Sequence, residues 1–167
     1  MKLLTPVAVI LACCSALFTN AQDLKPAELV AMKKYKVARI DSLVQAKGFK
    51  KNRSTDEASF SINMYLYQGV EESTPVQRNL QVGWQKPIHE LTLEYGLWSK
   101  TEATRFIDQL TRDGFKKVVR SMPVIGSTEK TQAVSYKKGL EEFSYNESDQ
   151  SGATLYLFSI SNEHFQP

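Results

Sequence analysis

Phe60-Ser61-Ile62-Asn63-Met64-Tyr65-Leu66-Tyr67 (FSINMYLY) is the stretch on which the fold turns. Apolar and polar-tipped residues alternate along it, the period of two of a pleated strand with one buried and one wet face. The alternation predicts Phe60, Ile62, Met64 and Leu66 toward a core, with Tyr65 and Tyr67 directed away from it. Leu80, Val82 and Trp84 repeat the period, as do Leu91, Leu93, Tyr95 and Leu97. A short strand over residues 49–53 precedes them.

Outward from this block, Gly-Phe-Lys-Lys occurs twice, at residues 48–51 and 114–117, an offset of 66 residues. Each copy follows a helical pattern. Ala103, Phe106, Ile107 and Leu110 recur at helical spacing, and Ser99 with Glu102 fits a capping box at the helix start. In the first copy Pro26 suits the first turn, and Leu29, Met32, Val37, Ile40, Leu43 and Val44 form a longer apolar stripe. The repeated motif therefore reads as a helix stop, glycine at C′ and phenylalanine folding back, followed by a strand start. Further strands are expected near residues 115–121, 131–138, 142–146 and 153–161. The last of these (ATLYLFSIS) is apolar on both faces, as an interior strand would be. Gln68-Gly69 and residues 72–75 carry turn signals.

The predicted fold class is α+β: two tandem repeats of one helix followed by about four antiparallel strands, with the helices packed on one face of the sheet or sheets. The boundaries are a leader at 1–21, a first repeat at 22–98 and a second at 99–167, forming one pseudo-twofold unit. This layout resembles that of the two-repeat β-lactamase inhibitory proteins, which also place a helical segment before a four-stranded sheet. The resemblance is one of architecture and implies nothing about function.

Residues 1–21 have the form of an export signal: Lys2, an apolar run over residues 3–18, and a small residue, Ala21, before the expected cleavage point. Export makes the protein secreted or periplasmic; lipid anchoring through Cys13 or Cys14 is the alternative. Both of the chain's cysteines lie in this leader, so cleavage leaves no disulfide, thiol nucleophile or cysteine metal site. No transmembrane segment is expected after cleavage. The whole chain carries 21 Lys and Arg against 18 Asp and Glu, unevenly placed. Residues 25–53 hold nine basic residues but only Glu28 and Asp41 as acids.

Catalytic chemistry finds little support in the letters. The only histidines, His89 and His164, have no ligand spacing around them, and phosphate-binding glycine loops and nucleophile elbows are absent. Glu71-Glu72 and Glu141-Glu142 read as solvated charge in turns. No catalytic, metal or cofactor residue is assigned, and a hydrolase with an unrecognised carboxylate pair is kept as an alternative. The leading expectation is a non-enzymatic binding protein whose outward strand face carries Tyr65, Tyr67, Gln81, Gln85, Glu94 and Trp98, meeting an unknown protein or glycan. Thr92 shares that face, and Gly83 and Gly96 leave shallow spaces in it. The alternative is an anionic envelope surface, a lipid headgroup or polysaccharide, held by Lys33, Lys34, Lys36, Arg39, Lys47, Lys50, Lys51 and Arg53. Nucleic acid is not an expected partner of an exported protein.

Overall fold

The computed structural model describes residues 23–71, 73–123, 130–150 and 152–165. The leader, with Cys13 and Cys14, lies outside the described residues. Helices α1 (Pro26–Met32) and α2 (Val37–Ala46) precede strands β1 (Lys50–Asp56), β2 (Phe60–Glu71), β3 (Thr74–Gln85) and β4 (Glu90–Leu97). Helix α3 (Lys100–Arg112) then leads into β5 (Lys116–Pro123), β6 (Lys130–Lys138), β7 (Glu141–Gln150) and β8 (Ala153–Asn162).

The predicted tandem of two helix-plus-four-strand repeats is corrected by this architecture. The described chain is mostly sheet, a single antiparallel sheet of eight strands with three helices. Its order is β1-β2-β3-β4-β8-β7-β6-β5. Strand β8 pairs with β4 from Leu91↔Asn162 to Leu97↔Tyr156, so all eight strands share one hydrogen-bonded ladder. The first helix is also two helices. The apolar stripe runs on across the break, but the chain turns at residues 33–35 between the two helices.

Both Gly-Phe-Lys-Lys copies end a helix in the same way. Gly48 (φ 85°) and Gly114 (φ 90°) occupy the left-handed region, where a Cβ is costly. The amide of Phe49 donates to the Val44 carbonyl at 3.1 Å and that of Gly48 to Gln45 at 2.9 Å. Phe115 and Gly114 donate likewise to Leu110 and Thr111, both at 3.0 Å. These are the two bonds of a Schellman stop. Each phenylalanine is buried, and the lysines open β1 and β5, the two outermost strands. Lysine on an edge discourages pairing with a further strand.

One face of the sheet shares a core with the helices. Ile40 and Val44 of α2, Leu29 and Met32 of α1, and Phe106 and Leu110 of α3 join Leu80, Val82, Leu91, Leu93, Phe158 and Ile160 in one buried cluster. The Phe106 ring lies 4.5 Å from that of Phe158 and 5.6 Å from that of Tyr95. Each such side chain removed from water contributes about 1.5–3 kcal/mol.

The phase of β2 is the second correction. Tyr65 is 1% exposed and belongs to the core. Tyr67 packs against it, its ring 5.7 Å from that of Phe49. Register is the cause: Tyr65 pairs with Leu80, Asn63 with Val82 and Ser61 with Trp84. Residues opposite each other project from the same face, and Leu80 and Val82 are buried, so Asn63 and Tyr65 follow them inward. Phe60, Ile62, Met64 and Leu66 are left on the other face, half-buried and outside the core cluster. The strand also runs through Gln68-Gly69, predicted to turn, and ends at Glu71 opposite Thr74.

Tyr65→Ala is therefore expected to lower the unfolding free energy by about 3 kcal/mol or more, measured by urea denaturation. An outward Tyr65 would predict almost no change.

Candidate functional site

Two arrangements stand out: the uncovered face of the sheet and a buried ion cluster at one end of the core. The first follows from the registers. Met64 pairs with Arg53 and Gln81, Gln81 with Glu94, and Glu94 with Ser159. The row continues through Ser144 and Ser135 to Val118. A parallel row runs from Thr55 through Ile62, Gly83 and Thr92 to Ser161. Along these two rows the face is apolar over β2, and over β4, β8 and β7 it carries Thr92, Glu94 and serines.

Cations mark both of its margins. Arg53 and Lys50 pair with Met64 and Leu66, and so project from this side of β1. Arg120 and Lys116 occupy the equivalent rows of β5. Arg120 reaches Glu142 at 3.2 Å, while Lys50 and Arg53 make no ion pair among the described residues.

A depression of about 590 Å³ opens where Gly83 replaces a side chain. Phe60, Ile62, Ile88, Gln81, Gln85, Thr92 and Glu94 surround it. Gln81 Nε2 donates to Glu94 Oε2 at 3.0 Å, and the Thr92 and Ser161 hydroxyls lie 3.1 Å apart. Gln81, Gln85 and Glu94 are therefore brought together as a group. Trp98 keeps to the same side but is used locally, its indole N–H donating to Asn79 Oδ1 at 2.8 Å. Tyr65 and Tyr67 are removed from the candidate face, because register turns them to the core.

The predicted basic patch is divided. Lys33 is 9% exposed, pairs with Glu141, and donates to the Ser161 carbonyl at 3.3 Å. Lys47 pairs with Glu28 at 2.7 Å and Lys51 with Asp41 at 3.0 Å. Arg39 lies 3.9 Å from the centre of the Tyr35 ring. Lys34, Lys36, Lys50 and Arg53 make no ion pair among the described residues.

The ion cluster went unseen in the sequence. Arg78, on β3, is 1% exposed. Its Nη2 contacts Asp23 at 2.8 Å and Glu71 and Glu102 at 2.6 Å each, while Nε donates to Glu102 at 2.6 Å. Glu102 does not serve the capping box expected of it, and Ser99 makes no side-chain cap bond. The three carboxylates lie within 4.8 Å of one another, as metal ligands would, with the Arg78 guanidinium as their bound cation. Beside them, Leu24, Tyr95, Leu97, Phe106 and Arg105 enclose a cavity of about 220 Å³.

Burial pushes the Glu102 carboxyl above its ordinary value of 4.5, outweighing the nearby Arg78 charge, and Asp23 shifts the same way for the same reason. Burial also raises the Tyr95 phenol. For Arg78, burial favours loss of the proton, but the hydrogen bond to Glu71 leads the effects that more than offset it. The cluster ties together the segment before α1, the end of β2, β3 and α3. It is best read as a structural clamp.

Replacing Arg78 by Met should cost about 3–5 kcal/mol, because it strands buried carboxylates without a cation. Glu102→Gln tests the sign of the titration. A carboxyl with a raised folded pKa contributes stability below its unfolded value of 4.5 that is lost as pH rises through the folded value. The thermal midpoint of Glu102→Gln relative to the parent should therefore climb as pH is raised from about 4.5 toward neutrality. A constant difference would show Glu102 to be unshifted.

No protein-family model matches this chain, no curated protein is significantly similar to it, and no solved structure matches it, so the resemblance in layout to the inhibitory proteins gains no support.

Proposed function

We propose that the protein is a secreted or periplasmic, non-enzymatic binding protein that holds an acidic partner protein against the open face of its sheet. The observation that carries this is the phase of β2. Its apolar residues, Phe60, Ile62, Met64 and Leu66, are turned away from the core and onto the uncovered side. An apolar band on a rigid sheet, beside amides and hydroxyls, suits a protein partner, whose contact centre is commonly apolar within a charged rim. The marginal cations, Lys50, Arg53, Lys116 and Arg120, favour acidic groups around that centre and would speed encounter at low salt. Export rests on the leader-like residues 1–21.

An anionic-surface role is less well supported, since Lys33, Lys47 and Lys51 already have carboxylate partners. A hydrolytic carboxylate pair would fall on Asp23 and Glu102, and both are held by Arg78. Among the described residues no helix is long and apolar enough to cross a membrane.

The test compares the parent with an Ile62→Ser, Met64→Ser double variant as bait in cross-linking capture from envelope extract. The expected result is one acidic protein bound by the parent, with at least tenfold weaker binding by the variant and a thermal midpoint little changed. Equal capture by both baits overturns the reading. So does co-sedimentation with phosphatidylglycerol vesicles that survives the double substitution and is lost with Lys34→Glu and Lys36→Glu.

A further inference from the structure

Gly83 lies within a strand yet has no conformational need to be glycine. Positive φ among the described glycines is confined to Gly48, Gly114, Gly139 and Gly152. A Cβ at Gly83 would meet only the Thr92 carbonyl oxygen, at an ordinary 3.9 Å. At Gly96, on the same face, a Cβ would lie 2.9 Å from Asn79 and 3.1 Å from Leu155, so packing explains that glycine. A strand interior loses order and side-chain packing by carrying glycine. Folding therefore gains nothing from Gly83, while the depression exists because of it.

The groups around the depression specify an occupant. Phe60, Ile62 and Ile88 form apolar walls, with Ile88 56% exposed. Glu94 is the only charged residue among the lining groups; it is partly buried and makes no ion pair among the described residues. The bond from Gln81 holds its Oε2 in place. Glu94 thus presents a fixed, uncompensated carboxylate beside aromatic and aliphatic surface, with the Gln81 and Gln85 amides close by. An extended apolar stem ending in a flat cation matches that set: the stem on the isoleucines, the guanidinium on Phe60 and bonded to Glu94.

We propose that the Gly83 depression is the anchor pocket of the open face and takes an arginine side chain of the partner. This rests on the reading of that face as a protein-binding surface. The partner's contact patch is then an arginine surrounded by acidic groups, the complement of Glu94 within the marginal cations. Gly83 is the specificity-determining position, since any larger residue fills the space the stem requires.

The experiment is a heteronuclear NMR titration of the protein with N-acetyl-L-arginine methylamide, using the neutral citrulline analogue as control. Shifts should concentrate at the amides of Gly83, Thr92 and Glu94, with the citrulline compound binding at least tenfold more weakly. Gly83→Val and Glu94→Gln should each remove the response, and the thermal midpoint of Gly83→Val should equal or exceed that of the parent. Equal shifts from citrulline, or an undiminished response in Gly83→Val, would overturn the proposal. Partner capture that is lost in Ile62→Ser, Met64→Ser but indifferent to Gly83→Val would reject the arginine anchor while leaving the open-face reading intact.

Discussion

An antiparallel ladder allows each strand to turn only one of its two side-chain sets inward, and paired residues must choose together. Here the choice is made in the middle of the sheet. Leu80, Leu91 and Leu93 are fully buried, and Val82, Leu97 and Ile160 nearly so, which leaves β3, β4 and β8 a single acceptable phase. Every other strand inherits it through the ladder. In β2 the inherited phase buries Asn63 and Tyr65 and exposes the more apolar set. Ser54 Oγ donates to Asn63 Oδ1 at 2.6 Å, which satisfies that oxygen, whereas the Tyr65 hydroxyl is buried without a hydrogen-bond partner among the described residues. The apolar open face of β2 is thus a by-product of core packing in the strands beside it.

The Arg78 cluster does a different job at the edge of the same core. Sheet and helices are separate layers, and apolar contact between them has little directional preference. A buried guanidinium with fixed donors does have one: it accepts Asp23, Glu71 and Glu102 only in one arrangement of the segments that carry them. The Tyr67 ring, its centre 5.2 Å from the guanidinium carbon, adds an aromatic contact to the same group. Burial is the main cause of the upward displacement of Glu102; it prevails over the Arg78 charge, and the neighbouring Asp23 and Glu71 add to it. Ion clusters of this kind add less to net stability than to definition of geometry.

Secondary structure was legible because its determinants are local. Strand periodicity in β2, β3, β4 and β8, the apolar stripe of α3, and both helix stops were read from neighbouring residues, and the six-residue Schellman geometry needs nothing more distant. The break between α1 and α2 is not marked in the same way, because the apolar stripe of residues 29–44 continues on one helical face across it. Gln81, Gln85 and Glu94 share the outward face expected of them because β3 and β4 are phased by their own strongly apolar positions. Tyr65 and Tyr67 were misplaced because β2 was phased by its own alternation, in which the set that looks like core is the outward one.

Where helices stop, which residues alternate, that both cysteines lie in the leader-like segment, and that no familiar catalytic motif is present can all be read along the chain. That the strands join into one sheet through β4 and β8, which face of β2 is buried, and that Glu102 serves Arg78 rather than a helix cap emerge only in the folded protein. The division has a physical cause. Helix stops and strand period depend on backbone geometry within a few residues, where order along the chain is order in space. Strand phase, sheet order and the partner of a buried charge depend on residues far apart in sequence: Arg78 meets Glu102 across 24 positions, and β4 meets β8 across most of the second half. Those choices are settled by which pairing buries the most apolar surface while leaving no charge alone.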